Sequence, residues 1–318
     1  MEITGWVILS ILFGLPLIGP FLVSVPALKG LHPARELADP DSQFIRLNNF
    51  DVHVKTCGQG QRVFVLMHGF GASLYSWNRI MEPLSQFGRV IAFDRPAFGL
   101  TERPLKWKGL NPYGSEAQLE LLRALLDHFE IQQAILIGNS AGGTIAMQFA
   151  LKYPERASAL ILVNPAVYTV GDVPGWISPI LATPQMRHLG PLVARQFQSR
   201  GVDMLKAAWF DQGLLTEDQM LLYKKPLLVE NWDRALWELT LARRKSDLPV
   251  RLNQLSQPVL VVYGSHDRIV PPSESIRLAG ELPGAKLEVI QNAGHVPHEE
   301  RPDAFMLAVM PFINSLSA

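Results

Sequence analysis

The sequence predicts an α/β protein: a mostly parallel central sheet with helices on both faces and one helical insertion. Three observations carry this. Short, continuously apolar runs recur along the chain ("RVFVLM", "RVIAF", "AILIG", "ALILVNP", "PVLVVYG", "KLEVI"), and such runs suit strands buried on both faces of a parallel sheet. Segments with apolar residues at helical spacing lie between them, the alternation that builds βαβ units. One long region, 167–257, breaks the rhythm with helix-like pieces only. The length, 318 residues, suits one large α/β domain with an insertion. Lys and Arg (29) balance Asp and Glu (29), so there is no basic field to hold nucleic acid and no acidic tail.

Taken in order, the chain begins with "ITGWVILSILFGLPLIGPFLVSVPAL", uncharged from Ile3 to Leu28. As one helix this reaches roughly 39 Å, enough to cross a bilayer. Residues 1–28 are therefore expected to be a membrane anchor. Lys29 and Arg35 follow it, so the positive-inside rule places the main domain on the cytoplasmic side. Two alternatives stay open. Val25-Pro26-Ala27 passes as a signal-cleavage site, which would make the mature protein secreted. Pro16, Pro20 and Pro26 would kink a spanning helix, which suits a monotopic segment. Residues 29–43 are polar with two prolines and read as a linker.

The core is expected over 44–166 and 258–318. "FIRL" and "DVHVKT" alternate and form a hairpin. "RVFVLM" is a strand ending at His68-Gly69, and "RVIAF" one ending at Asp94. "SEAQLELLRALLDHFE" is a helix, with Ser115 as N-cap and Gln118 at the capping-box position. "AILIG" is a strand, "AGGTIAMQFALKYP" a helix stopped by Pro154, and "ALILVNP" a strand. Residues 167–257 form a helical cap over the carboxyl edge of the sheet, with pieces "MRHLGPLVARQFQSR", "GVDMLKAAWF" and "RALWELTLARR". "PVLVVYG", "KLEVI" and a helix over "AFMLAVMPFINSL" complete the core.

The single cysteine, Cys57, has no intramolecular partner and reads as a packed or edge thiol. No CxxC or HxxxH spacing suggests a metal site, and no cofactor is expected. Oligomeric state is not legible.

Open parallel sheets bind ligands beyond the carboxyl ends of their strands, and the unusual residues cluster there. Gly138-Asn139-Ser140-Ala141-Gly142 joins a strand to a helix. So tight a turn strains the Ser140 backbone, and Gly138 and Gly142 remove side chains that would clash. The hydroxyl then projects above a helix N-terminus, which favours developing negative charge. A Ser hydroxyl needs a base, and "NAGHVPHEERP" supplies His295 after the last strand. The imidazole needs a carboxylate to fix its tautomer, and "GSHDRIVPP" supplies Asp267. The oxyanion of a tetrahedral intermediate needs donors. These are assigned to the backbone N–H groups of Ala141 and Phe70, with Gly69 and Gly71 keeping the second loop close.

With "HGFGASLYSW", "FDRPAFGLTERP", "GNSAGG", "GSHDRIVPP" and "NAGHVPHEERP" in this order, residues 44–316 resemble an α/β-hydrolase with a helical cap. The resemblance implies that His68 packs under the oxyanion loop, that Asp94 and Arg95 shape a loop, and that Glu300 ties down the loop of the base. His295 with Glu300 and His298 with Asp303 echo an acyltransferase spacing. Trp77 reads as packing. Trp176, Trp209, Phe210, Trp232 and Trp237 either line an acyl pocket or form the core of the cap.

A Ser nucleophile disfavours the dehalogenases and epoxide hydrolases of this superfamily, which use Asp. The meta-cleavage C–C hydrolases resemble this chain in the GNSxGG elbow and the cap, but they typically carry Trp directly after the catalytic His, where this chain has Val296. Ester hydrolysis is the leading expectation. The substrate would be a small-molecule or lipid ester cleaved through an acyl-Ser140 intermediate, in a layout similar to membrane-anchored monoacylglycerol lipases. C–C hydrolysis, haloperoxidase-like perhydrolysis and a non-catalytic small-molecule receptor are the alternatives.

Overall fold

The computed structural model describes residues 14–168, 176–243 and 246–316. All eight runs read as strands are strands: β1 (Gln43–Leu47), β2 (Phe50–Cys57), β3 (Val63–Met67), β4 (Arg89–Phe93), β5 (Ala134–Asn139), β6 (Ala157–Val163), β7 (Val259–Gly264) and β8 (Lys286–Ile290). They form one sheet in the order β1-β2-β4-β3-β5-β6-β7-β8. β2 runs antiparallel to β1 and β4, and every other pair is parallel. The continuously apolar β3 and β5 are buried at every position, whereas the edge strand β8 is exposed at all but its last.

Helices cover both faces. On one face α2 (Ser115–His128), α3 (Ala141–Lys152) and α8 (Pro272–Glu281) pack Leu122, Leu125, Phe149 and Leu278 against β3, β5 and β7. On the other, α1 (Asn78–Ser85) and α9 (Pro302–Ser315) contribute Ile80, Leu84, Phe305, Val309 and Ile313. α2 begins at Ser115 itself: Gly114 is the N-cap and makes no side-chain cap. The Gln118 side chain serves instead to accept from Arg95 and to donate to the Tyr113 carbonyl, so tertiary partners override the expected capping box.

Between β6 and β7 the described residues hold helices and no strand. These include α4 (Pro184–Ala194), α5 (Gln196–Ala208), α6 (Glu217–Lys224) and α7 (Trp232–Ala242). The stretch "MRHLGPLVARQFQSR" is two helices that break at Arg195, and the second runs on through "GVDMLKAA".

The expected N-terminal anchor gains no support from the described residues. Residues 14–22 are helical and the chain then leaves the helix. Among the described residues no helix is long and apolar enough to cross a membrane. Residues 1–13 of the expected anchor lie outside the described residues. The segment lies along the cap: Gln185 donates to the Leu17 carbonyl, His188 to that of Val23 and Arg195 to that of Pro26. Residues 29–43 are also packed. His32 pairs with Val229 of the cap, and Asp39 accepts from both Lys55 and Lys225.

The carboxyl ends of β3, β5 and β7 converge because glycines permit backbone contact. A Cβ on Gly142 would lie 2.1 Å from the Met67 carbonyl oxygen, and one on Gly138 would lie 2.5 Å from the Gly142 backbone. Neither obstacle is a movable side chain. Gly142→Ala is therefore expected to cost about 1–3 kcal/mol of stability through overpacking, read as a lower urea midpoint. An unchanged midpoint would show that the elbow tolerates a side chain.

Candidate active site

Ser140 sits between β5 and α3 with φ 52° and ψ −118°, outside the usual regions for a non-glycine residue. The strained turn expected from the glycine pattern is thus present. Its amide donates to the Val163 carbonyl, and its own carbonyl accepts from Gly143, Thr144 and Ala166, so the strain is held from several sides. Gly69 packs against the Ser140 Cβ. This brings the loop carrying Phe70 beside the hydroxyl. The Phe70 and Ala141 amides donate to no other group among the described residues.

His295 Nδ1 donates to Asp267 Oδ2 at 2.7 Å, with the pair almost wholly buried. Asp267 Oδ1 accepts from the amides of Ile269 and Val270 at 2.7 and 3.0 Å. The carboxylate is thereby oriented, and Nε2 is the nitrogen left for proton transfer. No hydrogen bond joins Ser140 Oγ to His295 Nε2 within 3.5 Å among the described residues, a looseness common in unliganded sites.

The structure reveals what holds His295 in place, which motif reading missed. Its carbonyl accepts from the side chains of Asn139 (3.0 Å) and Asn164 (2.8 Å). Asn164, at φ 43°, also donates to Gly294 and accepts from the Gly264 amide. The His295 amide donates to the Ala208 carbonyl in the cap at 2.6 Å. Glu300 accepts from Gly294, Phe210 and Asp211, so the expected loop tie also fastens the cap. The only sequence trace of Asn164 is an Asn-Pro at the carboxyl end of β6.

The neighbours expected to be structural are so. His68 is buried, donates from Nδ1 to the Gly69 carbonyl and accepts the Arg95 amide at Nε2; burial lowers its pKa to about 3, so it stays neutral. Asp94 bonds His53 and the Leu74 and Leu100 amides. Arg95 donates to Gly69 and Gln118. Cys57 is half-buried and meets the Met81 carbonyl. Trp77 is core, stacked on His298. In the cap, Trp209 packs with Val296, Trp232 with Phe98, and Trp237 against Gly190, while Phe210 stacks on His266 and Trp176 is exposed. Phe197 of α5 meets Phe70 edge-on and closes the cap over the oxyanion loop.

The sequence pattern of the alpha/beta hydrolase fold matches residues 62–302, well over half of the chain. The chain belongs to the α/β-hydrolase family. This α/β-hydrolase is 30% identical over 291 residues to a 2-hydroxy-6-oxononadienedioate/2-hydroxy-6-oxononatrienedioate hydrolase of Dechloromonas aromatica, spanning 86% of this chain and 95% of that one. It is 29% identical over 257 residues to the uncharacterized hydrolase YugF of Bacillus subtilis, spanning 80% and 90%. Among solved structures, a meta-cleavage product hydrolase of Pseudomonas fluorescens superposes with a TM-score of 0.66 at 26% identity, covering 86% of this chain and 98% of that one. The expected likeness to membrane-anchored monoacylglycerol lipases gains no support from these relatives.

A second Ser–His–carboxylate group lies behind the site. Ser76 Oγ meets His298 Nε2 at 2.9 Å and also bonds Glu299, which accepts from Tyr223 of the cap. Burial drives the Glu299 pKa up to about 7, from an ordinary 4.5. Its ionised form is therefore disfavoured in the folded state, and the penalty grows as pH rises from about 4.5 to about 7. Glu299→Gln is expected to raise stability at pH 8 by about 1–3 kcal/mol relative to wild type, with the gain vanishing below pH 4.5. Denaturation at both pH values checks this, and a gain equal at the two would contradict it.

Proposed function

We propose that this α/β-hydrolase is a serine hydrolase that cleaves the carbon–carbon bond beside a ketone in a 2-hydroxy-6-oxo-dienoic acid. A substrate of that name has no ester or amide, so its hydrolysis must break carbon from carbon. The substrate class rests on the named relatives. The chemistry rests on one observation: His295, oriented by Asp267, has its backbone bonded by Asn139 next to the elbow Ser140, and the Phe70 and Ala141 amides donate to no other group among the described residues.

In this reading His295 Nε2 takes the Ser140 proton as Oγ adds to the ketone carbon, and the Phe70 and Ala141 amides hold the oxyanion. The intermediate collapses by expelling the neighbouring carbon. That carbon can leave once the dienol has moved its C2 hydroxyl proton onto it, giving the 2,6-diketo tautomer; its electron pair then delocalises through the remaining alkene onto the oxygen at C2, where His295 returns the proton. Water, deprotonated by His295, then releases the acyl group from Ser140. No step calls for a cofactor or metal.

Ester hydrolysis by the same groups is the second reading. Val296, in the position after His295 where the C–C hydrolases typically have Trp, favours it. Trp209 of the cap shares a hydrophobic cluster with Val296, which supplies an indole in that neighbourhood and favours the first.

Purified protein is expected to bleach 2-hydroxy-6-oxo-6-phenylhexa-2,4-dienoate, and Ser140→Ala to lose about 10³-fold or more of that rate. A fluorophosphonate probe should label wild type and not the variant. Turnover of p-nitrophenyl esters with none of the dienoate would transfer the assignment to ester hydrolysis. Equal labelling of both proteins would remove Ser140 as the nucleophile.

A further inference from the structure

Arg103 is a charged residue that the site described above does not use. It is almost wholly buried. Nη2 donates to the carbonyls of Gly99 and Pro226, bridging the core loop to the cap. Nε and Nη1 are buried with no hydrogen-bond partner. Among the described residues no carboxylate lies within ion-pair distance of it. Asp94, a carboxylate whose charge reaches it, is already committed to His53 and two amides. Burial lowers the Arg103 pKa only to about 10, so the guanidinium keeps its charge at neutral pH.

A buried charge without a counter-ion is costly, and unmade hydrogen bonds add to the cost. Arg95 shows the usual remedy, donating to Gln118 and Gly69. Arg103 differs in lining a narrow cavity, together with Gly71, Phe98, Phe197, Tyr223 and Trp232. Gly71 follows the oxyanion donor Phe70, and Phe98 and Phe197 both meet the Phe70 ring edge-on. The cavity thus adjoins the proposed site, separated from it by aromatic side chains. One of these, Phe197, belongs to the cap and must shift to admit a ligand.

We propose that Arg103 is a specificity-determining residue: it receives a carboxylate of the substrate in this cavity while the carbonyl to be attacked lies over Ser140. The planar, permanently charged guanidinium suits that ligand. The inference rests on the carbonyl-hydrolysis reading above and assigns the group that would hold the carboxylate of its acid substrate.

The test compares p-nitrophenyl hydrogen glutarate with p-nitrophenyl pentanoate, acyl groups of equal chain length that differ in the terminal carboxylate. Wild type is expected to favour the acid by at least about 10-fold in kcat/KM, one well-made charge-assisted contact. Arg103→Gln should erase that preference mainly through KM for the acid, and Arg103→Lys should restore part of it. An acid-to-neutral ratio that is the same in wild type and Arg103→Gln overturns the proposal. So does a wild type without preference, which needs no variant to fold. Binding of glutarate monomethyl ester to Ser140→Ala, with and without Arg103→Gln, reads the same contact by calorimetry without turnover. Affinity there should fall at least about 10-fold with the Arg103 change, and equal affinity also overturns the proposal. An acid preference that depends on Arg103, in a protein that leaves the dienoate untouched, would keep the carboxylate site and discard the C–C reading.

Discussion

The backbone of Gly294 and His295 is the point on which the rest of the structure depends. Asn139 at the end of β5 and Asn164 just past β6 both donate to the His295 carbonyl. The His295 amide reaches Ala208 of the cap, and Glu300 joins Gly294 to the amides of Phe210 and Asp211. A Cβ on Gly294 would strike the Ala208 carbonyl, and one on Gly264 would strike Gly294. Asn139, Asn164, His295 and Glu300 are buried, so leaving one of them unpaired carries a desolvation cost. The loop of the proposed base therefore has one placement that satisfies strand, sheet and cap together.

This arrangement makes the cap part of the proposed catalytic geometry as well as a cover. Its α5–α6 connection holds the histidine loop, while Phe197 on α5 rests on the oxyanion loop. A substrate that displaces the cap rings acts on segments bonded to the backbone of the base. Binding and alignment are thus coupled through contiguous contacts, the arrangement by which remote binding interactions can serve catalysis.

Three histidine–acid groupings lie in or around the site, and burial with hydrogen bonding separates their roles. His295 pairs with an acid and keeps Nε2 free of any hydrogen bond among the described residues. His53 pairs with Asp94 but spends its other nitrogen on Ser42. His298 is fully buried, and its pKa of about 3 keeps it neutral against Ser76. Identity and spacing alone do not rank the three. Access to the space above the strand ends does.

The sequence by itself determined the eight strands, the α/β class and the helical insertion. Burial on both faces of a parallel sheet requires continuous apolar runs, and those are visible in one dimension. It also pointed to Ser140, because so tight a turn admits only Gly at its flanks, and it pointed to His295 and Asp267 through their places after strands. Only the tertiary structure decided the rest. Gln118 turned from capping to bonding Arg95, the uncharged N-terminal stretch left its helix at residue 23 and lay along the cap, and Asn139, Asn164 and Arg103 acquired partners or lacked them. Those outcomes depend on hydrogen bonds between residues far apart in the chain. Local propensity holds no record of such bonds until the fold has brought their donors and acceptors together.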